Sequence, residues 1–353
     1  MAYSDWDEYL IHQVPTTLDH VQDSDPHWTD RFYFNCHARD GSALLTLGYG
    51  VFPNQQRAMG YARLALSDGR HWDASARREL AGDRADMAAG PMRAEVLQPR
   101  RRWRLTLGPN PSGLQYDIEW QARAPMWELK PIFIRKRGLV IVNQQHIQQS
   151  GNYSGWIQHG DERMPVDGFY GGRDRTWGIR NHGPVDMWIW FAAQFEDRAI
   201  AAWLWRSRDG KDWYVDGGFS HTDGSLSRRF VKMDADIQFD GDLRRPKAAA
   251  IRFVDEDGQR FDVTAQARHQ DVGVYYGAPV KPTNDAVSGS AWNSRNREEL
   301  KAVEKGAFSL DQLMHYEFQG LQGYGVFELW ASGDGYPPWE PNWPLTAHHR
   351  LGT

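Results

Sequence analysis

The stretch of sequence that decides the fold reads Ala201-Ala202-Trp203-Leu204-Trp205-Arg206-Ser207-Arg208-Asp209-Gly210-Lys211-Asp212-Trp213-Tyr214-Val215. Large apolar side chains recur at every second position on both sides of an Asp-Gly pair, which is the period of a β-strand. An Asp-Gly pair tolerates the positive φ angles that a type I′ hairpin turn requires. The stretch therefore predicts two antiparallel strands joined by a tight turn.

The same turn signal recurs along the chain, at Asp40-Gly41, Asp68-Gly69, Asp209-Gly210, Asp223-Gly224, Asp240-Gly241 and Asp257-Gly258. Between these turns lie alternating segments such as Met187 to Phe195. Helical signals are limited to a short turn over Ser75 to Leu80 and a helix from Ser294 to Lys305, which is expected to be capped by serine and to end near Gly306. Many short strands at regular spacing predict an all-β fold, and the turns alone leave sandwich and barrel equally open.

Two domains are expected, because 353 residues exceed the usual size of one domain. The clearest seam is Asn181-His182-Gly183-Pro184, so we predict domains over 1–182 and 183–353. The first thirty residues are expected to wrap a surface. The tail from Gly335 to Pro344, rich in proline and tryptophan, is expected to be an ordered arm docked on the body of the protein.

Composition excludes several classes of protein. The net charge of -5 does not favour a nucleic-acid partner. Cys36 is the only cysteine, so no intrachain disulfide and no cysteine-based metal cluster can form. No secretory signal and no apolar run of membrane length is present, so we expect a cytoplasmic protein without membrane insertion. No dinucleotide or phosphate-binding motif occurs, and we predict neither a cofactor nor a metal. A homo-oligomer stays open.

Aromatic content is the unusual feature, with 17 Trp, 14 Tyr and 15 Phe. These side chains could simply fill β cores and form cross-strand pairs. They could also line a cavity for a bulky apolar or aromatic molecule. Both interpretations can hold together, and the sequence does not choose between them.

The stretch Gly168 to Arg180 combines glycines, charges and aromatic residues. If it runs as a strand, one face carries Tyr170, Gly172, Asp174 and Thr176, and the other carries Gly171, Arg173, Arg175 and Trp177. A carboxylate on an interior face needs a partner or titrates high, which makes Asp174 a candidate acid or base. The alternative is structural, with Asp174 pairing with an arginine.

Here the sequence resembles a known family. The block Gly172-Arg173-Asp174-Arg175-Thr176-Trp177-Gly178 is similar to the Asp-x-(Ser/Thr/Asn)-Trp-Gly signature of the carotenoid 1,2-hydratase and AttH-like proteins, whose fold cofactor-free Diels–Alderases share. The segments Gly151 to Trp156, Val166 to Gly168 and Trp188 to Phe195 also fit. The resemblance spans roughly residues 30 to 330. It implies two lipocalin-like β-barrel domains and cofactor-free chemistry on bulky apolar molecules.

The resemblance also implies site residues. The signature aspartate of the hydratases is the proposed proton donor to a double bond, a role that would fall to Asp174. Tyr170, on the same face, or His146 would be the assisting donor. Substrate-binding candidates come from the aromatic positions and one arginine of these segments, namely Tyr153, Trp156, Trp177, Trp188, Trp190 and Arg173.

Our leading hypothesis is a cofactor-independent lyase or isomerase that acts on a hydrophobic or aromatic small molecule. One alternative is a non-catalytic carrier of hydrophobic ligands. Another is a carbohydrate-active enzyme, which is weakened because the sequence shows no close carboxylate pair. Glu317 and Glu328 sit between apolar neighbours and could face either solvent or a polar interior.

Overall fold

The computed structural model describes residues 4–10, 20–80, 85–182, 185–241, 243–276, 287–294 and 296–332. The predicted tail arm from Gly335 to Pro344 lies outside these residues. The described residues fold mainly as antiparallel β-structure, as the alternating segments predict.

The first sheet has 14 strands within the described part of the chain. Its strands are β1 Trp28–His37, β2 Ala43–Phe52, β3 Arg57–Leu66, β4 Arg70–Glu79, β5 Ala88–Ala89, β6 Met92–Gln98, β7 Arg102–Leu107, β8 Leu114–Ala122, β9 Trp127–Glu128, β10 Ile132–Lys136, β11 Leu139–His159, β12 Glu162–Pro165, β13 Tyr170–Arg180 and β21 Val287–Asn293. The main path runs β21-β4-β3-β2-β1-β13-β11-β8-β7-β6-β5, and β9, β10 and β12 pair with the long strand β11.

The second sheet has nine strands, counted over the same described ranges. Its strands are β14 Met187–Gln194, β15 Arg198–Arg206, β16 Asp212–His221, β17 Phe230–Phe239, β18 Pro246–Asp255, β19 Arg260–Gln266, β20 Gly273–Tyr276, β22 Phe308–Phe318 and β23 Leu321–Ala331. The order is β16-β15-β14-β23-β22-β19-β18-β17, with β20 on β22. Two antiparallel sheets of this kind agree with the lipocalin-like, two-domain fold that the resemblance implies.

The predicted boundary at 182 falls between β13 of the first sheet and β14 of the second. One segment departs from a simple division of the chain there. Strand β21 comes after the boundary and yet pairs with β4, from Val287 opposite Ala76 to Asn293 opposite Arg70. The second half of the chain therefore lends an edge strand to the first sheet.

All six Asp-Gly pairs lie between consecutive strands, and each glycine has a positive φ, from 62° at Gly241 to 96° at Gly224. Their aspartates do not, so these turns are not of type I′. Residues with positive φ at both central positions of a two-residue turn are instead Arg137-Gly138 and Gln319-Gly320. The turn positions are thus correct and the predicted turn type is wrong, because three-residue and longer hairpins place only the last residue in the left-handed region.

Regular helix is scarce. The predicted helix forms as α1, Arg297–Glu304, but the side chain of Asn296, not a serine, caps it by accepting from the Glu299 amide. Two short 3-10 helices cover Asp5–Glu8 and Pro53–Gln55. The helical turn expected over Ser75 to Leu80 is wrong, since most of it belongs to β4.

Strand alternation divides the buried side chains among several clusters. On β1, Phe32 and Phe34 enter the core of the first domain, while Tyr33 between them points to the other side of the sheet. On β14, Ile189 enters the core of the second domain and Trp190 points away from it. A further apolar cluster, built from both sheets, therefore lies between the two domains.

The N-terminal segment does not simply cover a surface. Glu8 and Leu10 have no exposed area, and Leu10 belongs to the core of the first domain. Polar bonds also tie the two domains together: the Arg123 guanidinium donates to Gln194 Oε1 at 2.9 Å, and Gln194 Nε2 donates to the Gly171 carbonyl at 2.7 Å. The relative placement of the two sheets is therefore held by hydrogen bonds as well as by apolar packing.

Candidate functional site

A cavity of about 290 Å³ lies where the outer faces of the two sheets meet. The first domain and the chain just after β13 contribute Arg31, Tyr33, Tyr49, Gly50, Phe52, Met59, Tyr61, His146, Asp174, Arg180 and His182. The second domain contributes Trp188, Trp190, Trp203, Tyr276, Ser309, Asp311, Glu328 and Trp330. Residues of both domains line the cavity, so it belongs to the interface between them.

The wall from the second domain is aromatic. The rings of Trp188 and Trp330, which are cross-strand partners, stack with centroids 4.7 Å apart and planes within 6°. Trp203 packs on the His146 ring at 4.5 Å, and Trp190 meets Tyr33 edge-on at 5.8 Å. Such a wall suits a flat aromatic or polyunsaturated molecule, and the faces of indole rings also stabilise positive charge.

Asp174 is the carboxyl group of the first domain at this cavity. Its side chain is 8% exposed, and its Oδ1 atom has no hydrogen-bond partner. Burial raises the pKa of Asp174 above its ordinary value, against the opposing effect of positive charge on Arg31 and Arg180. A carboxyl group in this setting can hold a proton closer to neutral pH than an exposed aspartate does.

The two arginines at the cavity respond differently to burial. Burial disfavours the charged form of Arg31, but the groups around it, led by Tyr61 and Asp174, outweigh that effect and raise its pKa. Burial, reinforced by the charge of Arg31, lowers the pKa of Arg180 to about 9. Arg180 also has an unpartnered Nε. Positive charge is therefore crowded at this wall.

Two histidines complete this side. His146 Nδ1 and Thr176 Oγ1 lie 2.6 Å apart, across the β11–β13 pair that places the two residues opposite each other. Burial, followed by the charges of Arg180 and Arg31, lowers the pKa of both His146 and His182 well below the ordinary value. Both rings are therefore neutral at physiological pH, and a neutral imidazole can donate or accept one proton.

The second domain supplies a pair of carboxyl groups. Asp311 on β22 and Glu328 on β23 are directly opposite each other. Tyr33 and Tyr276 each donate a hydrogen bond of 2.7 Å to Asp311 Oδ2. Burial raises the pKa of both acids, well above the ordinary value for Asp311, and the proximity of the other carboxyl adds to the effect at Asp311. Both acids therefore hold a proton more readily than exposed acids do, and Asp311 does so most strongly.

Glu328 is held by neutral donors as well. Ser309 Oγ donates to Glu328 Oε1 at 2.6 Å, and Trp188 Nε1 donates to the same oxygen at 3.0 Å. These bonds favour the ionised form of Glu328, whereas Asp311 carries the stronger upward shift. Of the two acids, Asp311 therefore holds a proton more readily, and Glu328 ionises more readily.

The chain is similar to known proteins in sequence and in fold. Residues 3–337 match the model of a family of unknown function, DUF8625. The chain belongs to that family. No curated protein sequence matches it. Its fold is similar to that of a Nitrosomonas europaea protein provisionally named AttH, with a TM-score of 0.59 and 16% identity over 88% of this chain and 93% of the other.

Two further solved structures resemble this member of DUF8625. CghA in complex with Sch210972 gives a TM-score of 0.57 and 13% identity over 88% of this chain and 90% of that one. Kievitone hydratase from Nectria haematococca gives 0.57 and 11%, with 92% and 94% covered. The resemblance of the sequence to AttH-like proteins is thus confirmed at the level of the fold.

The cavity gathers only some of the residues that sequence analysis of this DUF8625 chain selects. Asp174, His146, Trp188 and Trp190 line it. The predicted division of β13 into two faces is confirmed, since Asp174 and Thr176 lie towards the cavity side while Arg173 enters the first core beside Trp120. The aromatic residues therefore do both things that were expected of them: they fill cores and line a cavity.

The other selected residues lie elsewhere. Tyr153 is in the core of the first domain, and Arg173 is fully paired with Glu8. Trp156 lies under the guanidinium of Arg163 at 3.9 Å. Tyr170 shares its face with Asp174 but sits at the far end of β13, against Arg39 and Arg123. Trp177 packs near Arg175. None of these five lines the cavity.

Sequence reasoning left out Asp311, Arg31 and the pairing of Glu328. The turn Gln319-Gly320 carries the signal that could find the pair, because Asp311 precedes the turn by eight residues and Glu328 follows it by eight. A two-residue hairpin turn fixes the register of its strands. Glu317, the other ambiguous acid, is exposed.

Among the described residues, no three His, Cys, Asp or Glu side chains come together as a metal site. No helix among them is both long enough and apolar enough to cross a membrane.

Proposed function

We propose that the cavity between the two domains is the active site of a cofactor-free lyase or isomerase acting on a bulky aromatic or apolar small molecule. One observation carries the proposal: a buried, unpartnered carboxyl group, Asp174, shares an aromatic-walled cavity with a second set of carboxyl groups, Asp311 and Glu328. Acids in two different states of protonation are what proton-transfer chemistry requires.

Asp174 is the proposed acid. When it protonates a carbon–carbon double bond, its O–H bond breaks, the π electrons form a new C–H bond, and positive charge develops on the neighbouring carbon. The indole of Trp190, which lines the cavity, is the proposed stabiliser of that charge, since the Trp188 ring is itself stacked between Trp205 and Trp330. Asp174 is left as a carboxylate beside Arg31 and Arg180, whose charges favour that product state.

Glu328 is the proposed base. If it removes a proton from a carbon next to the cation, the double bond moves and the reaction is an isomerisation. If water adds to the cation and then loses a proton, the reaction is a hydration, and the reverse order is a dehydration. His146 is placed to assist as a neutral donor or acceptor, which favours it over Tyr170 for the assisting role.

The structural relatives support the class of reaction. Kievitone hydratase is named for a hydration, and CghA is a Diels–Alderase. Identities of 11% and 13% carry the fold only, so the reaction class rests on the carboxyl groups of this chain. Cytoplasmic localisation and independence of cofactors and metals stay predictions from the sequence.

The test uses the full-length protein without added cofactor. A panel of unsaturated and hydroxylated aromatic compounds, kievitone among them, is incubated in deuterated and in oxygen-18 water and analysed by mass spectrometry. We expect at least one compound to incorporate deuterium or oxygen-18, or to lose water. Asp174→Asn should slow that conversion by about 10²–10⁴-fold while the protein keeps its melting temperature.

Two results would contradict the proposal. Full activity of Asp174→Asn would remove the acid assignment. Compounds that bind tightly but return without either isotope would indicate the carrier alternative. Arg135→Met, at an exposed position on β10, is the matched control and should convert substrate at the wild-type rate.

The carbohydrate-active alternative was disfavoured because the sequence shows no close carboxylate pair. That expectation is wrong: Asp311 and Glu328 are directly opposite on neighbouring strands. Both project from one wall, however, and Asp311 already accepts bonds from two tyrosines. A glycosidase needs its two carboxyl groups on either side of the bond to be cleaved, so this pair favours proton storage over glycoside cleavage.

A further inference from the structure

The two arginines at the cavity lack the carboxylate partners that buried arginines usually have. Among the described residues, no carboxylate oxygen lies within 4.0 Å of the nitrogens of Arg31 or Arg180. The hydrogen bond of Arg31 goes to the neutral hydroxyl of Tyr61 at 3.5 Å. By contrast, buried Arg173 and Arg175 have carboxylate partners at 2.5 Å. Both side chains are half-buried, and a partly enclosed guanidinium without a counter-ion favours a negatively charged partner.

The carboxyl groups of the cavity do not supply that anion. Asp311 and Glu328 are engaged with Tyr33, Tyr276, Ser309 and Trp188. Asp174 is near both arginines without an ion pair to either, and it must hold a proton to act as an acid. With Asp174 protonated, both arginines face the cavity with only the more distant charge of Glu328 to balance them.

We infer that the substrate is an aromatic or polyunsaturated molecule that carries an anionic oxygen group, such as a carboxylate, enolate or phenolate, and that Arg31 and Arg180 bind this group. We infer further that Asp174 takes up one proton when the anion binds. This inference rests on the proposed function, because it names the substrate class of the same site.

The coupling follows from charge. In the free protein the two arginines favour the carboxylate form of Asp174, and a bound anion cancels that influence. The carboxylate then also repels the anion, so one proton from solvent joins an oxygen of Asp174 as the anion enters. Substrate binding would thus convert Asp174 to its acid form at the moment when it is needed.

Several other groups act on Asp174 and have to be considered in any pH profile. On its own strand these are Arg173, Arg175 and Arg180, and from neighbouring elements they are Arg31, Tyr33, Tyr61, His146, His182, Tyr276, Asp311 and Glu328. The two histidines stay neutral near pH 7 because burial lowers the pKa of both. Asp311 and Glu328 can also respond to an anion, so the Asp174→Asn variant is needed to isolate the contribution of Asp174.

The experiment uses two fluorescent probes with one ring system. Anilinonaphthalene sulfonate is an anion, and phenylnaphthylamine is its neutral counterpart. We expect the full-length protein to bind the anion at least about tenfold more tightly than the neutral probe, as a charge-assisted contact implies. Arg180→Met and Arg31→Met should each remove most of this preference, while Arg135→Met should keep it.

Proton uptake is measured with the same anion. Its affinity should rise by up to about tenfold for each pH unit of acidification over the range in which free Asp174 is ionised. Calorimetry in buffers of different ionisation enthalpy should show uptake of close to one proton. Asp174→Asn should bind the anion more tightly than wild type at neutral pH, with no such pH dependence and no proton uptake.

Equal affinity for the two probes, or an unchanged preference in both arginine variants, would overturn the anion site. Wild-type pH dependence in Asp174→Asn would overturn the coupling. These results are separable from the proposed function. If Asp174→Asn has no turnover but the wild-type protein binds the two probes equally, the acid role stands and the anion site is wrong. An anion preference in a protein whose Asp174→Asn variant stays fully active keeps the binding site and removes the acid role.

Discussion

Both faces of β13 carry charged residues, which are fully paired on one face and incompletely paired on the other. Towards the first core, Arg173 donates two bonds of 2.5 Å to Glu8, and Arg175 pairs with Asp30 at 2.5 Å. None of these four side chains has exposed area. Towards the second domain, Asp174 and Arg180 keep polar atoms without partners. One strand thus separates charges that are satisfied from charges that are not.

This difference distinguishes a structural use of buried charge from a candidate functional one. Ion pairs that are complete fix the N-terminal segment into the barrel and leave nothing for a ligand to bind. Groups left incomplete are costly unless something else completes them. The cavity face of β13 therefore marks the site, and the core face marks the support that holds it.

The largest expected effect breaks the core face. Glu8→Gln keeps the shape of the side chain but leaves the Arg173 charge buried without a counter-ion. We expect it to lower the free energy of unfolding by about 3–5 kcal/mol, measured by urea denaturation. The matched substitution on the other face, Asp174→Asn, should change stability by about 1 kcal/mol or less, because Asp174 has no hydrogen bond to lose. Equal losses in the two variants would abolish the distinction.

The next effect concerns the carboxyl pair and pH. Burial raises the pKa of Asp311 in the folded protein, so the native state binds a proton that the unfolded chain has released. Stability should therefore fall as pH rises from about 4, where the unfolded chain releases this proton, up to the folded pKa, by up to about 1.4 kcal/mol per pH unit. Asp311→Asn should remove this loss, which melting temperatures measured from pH about 4 upwards would test.

Glu328→Gln is the companion variant. Because the Glu328 carboxylate adds to the upward pKa shift of Asp311, this variant should reduce the loss of stability with rising pH but not abolish it. An unchanged pH profile in both variants would show that Asp311 does not take up a proton on folding.

A smaller effect concerns His146. Thr176→Val removes the partner of His146 Nδ1 and should lower the free energy of unfolding by about 1 kcal/mol, whereas Thr176→Ser keeps the hydroxyl and should be close to wild type. The charged form of His146 is disfavoured in the fold, so its contribution to stability is present above pH about 6.5 and is lost as pH falls. Equal stability of the valine and serine variants would contradict the hydrogen bond.

The smallest effect tests the aromatic residues that lie away from the cavity. Trp156→Phe should leave the affinity for the naphthalene probes within about twofold, because Trp156 packs under Arg163 in the first domain. Trp188→Phe loses a bond to Glu328 and the stack on Trp330, and should weaken binding by about fivefold or more. A larger effect at Trp156 than at Trp188 would place the ligand elsewhere.

Alternation and turn residues were enough to predict the β fold, the hairpin positions and the two faces of β13, because all of these depend on neighbours in sequence. Asp174 became a candidate for two other reasons: it lies in the glycine-rich and charged stretch Gly168 to Arg180, and the resemblance places the signature aspartate at its position. Neither the alternation nor the resemblance placed Tyr153, Trp156 or Arg173 correctly. An aromatic residue or arginine on a strand can enter a core or a cavity with the same local pattern.

What the sequence by itself determined is local: the strands, the turns, the absence of a cysteine framework, and the choice of Asp174 as a candidate acid or base. What only the tertiary structure decided is which outer faces meet. Asp174 from β13, Arg31 from β1 and Glu328 from β23 share one cavity because two sheets pack against each other, and no local pattern records that contact. The site forms at the interface between the two domains, where charged side chains that are far apart in sequence are buried next to one another.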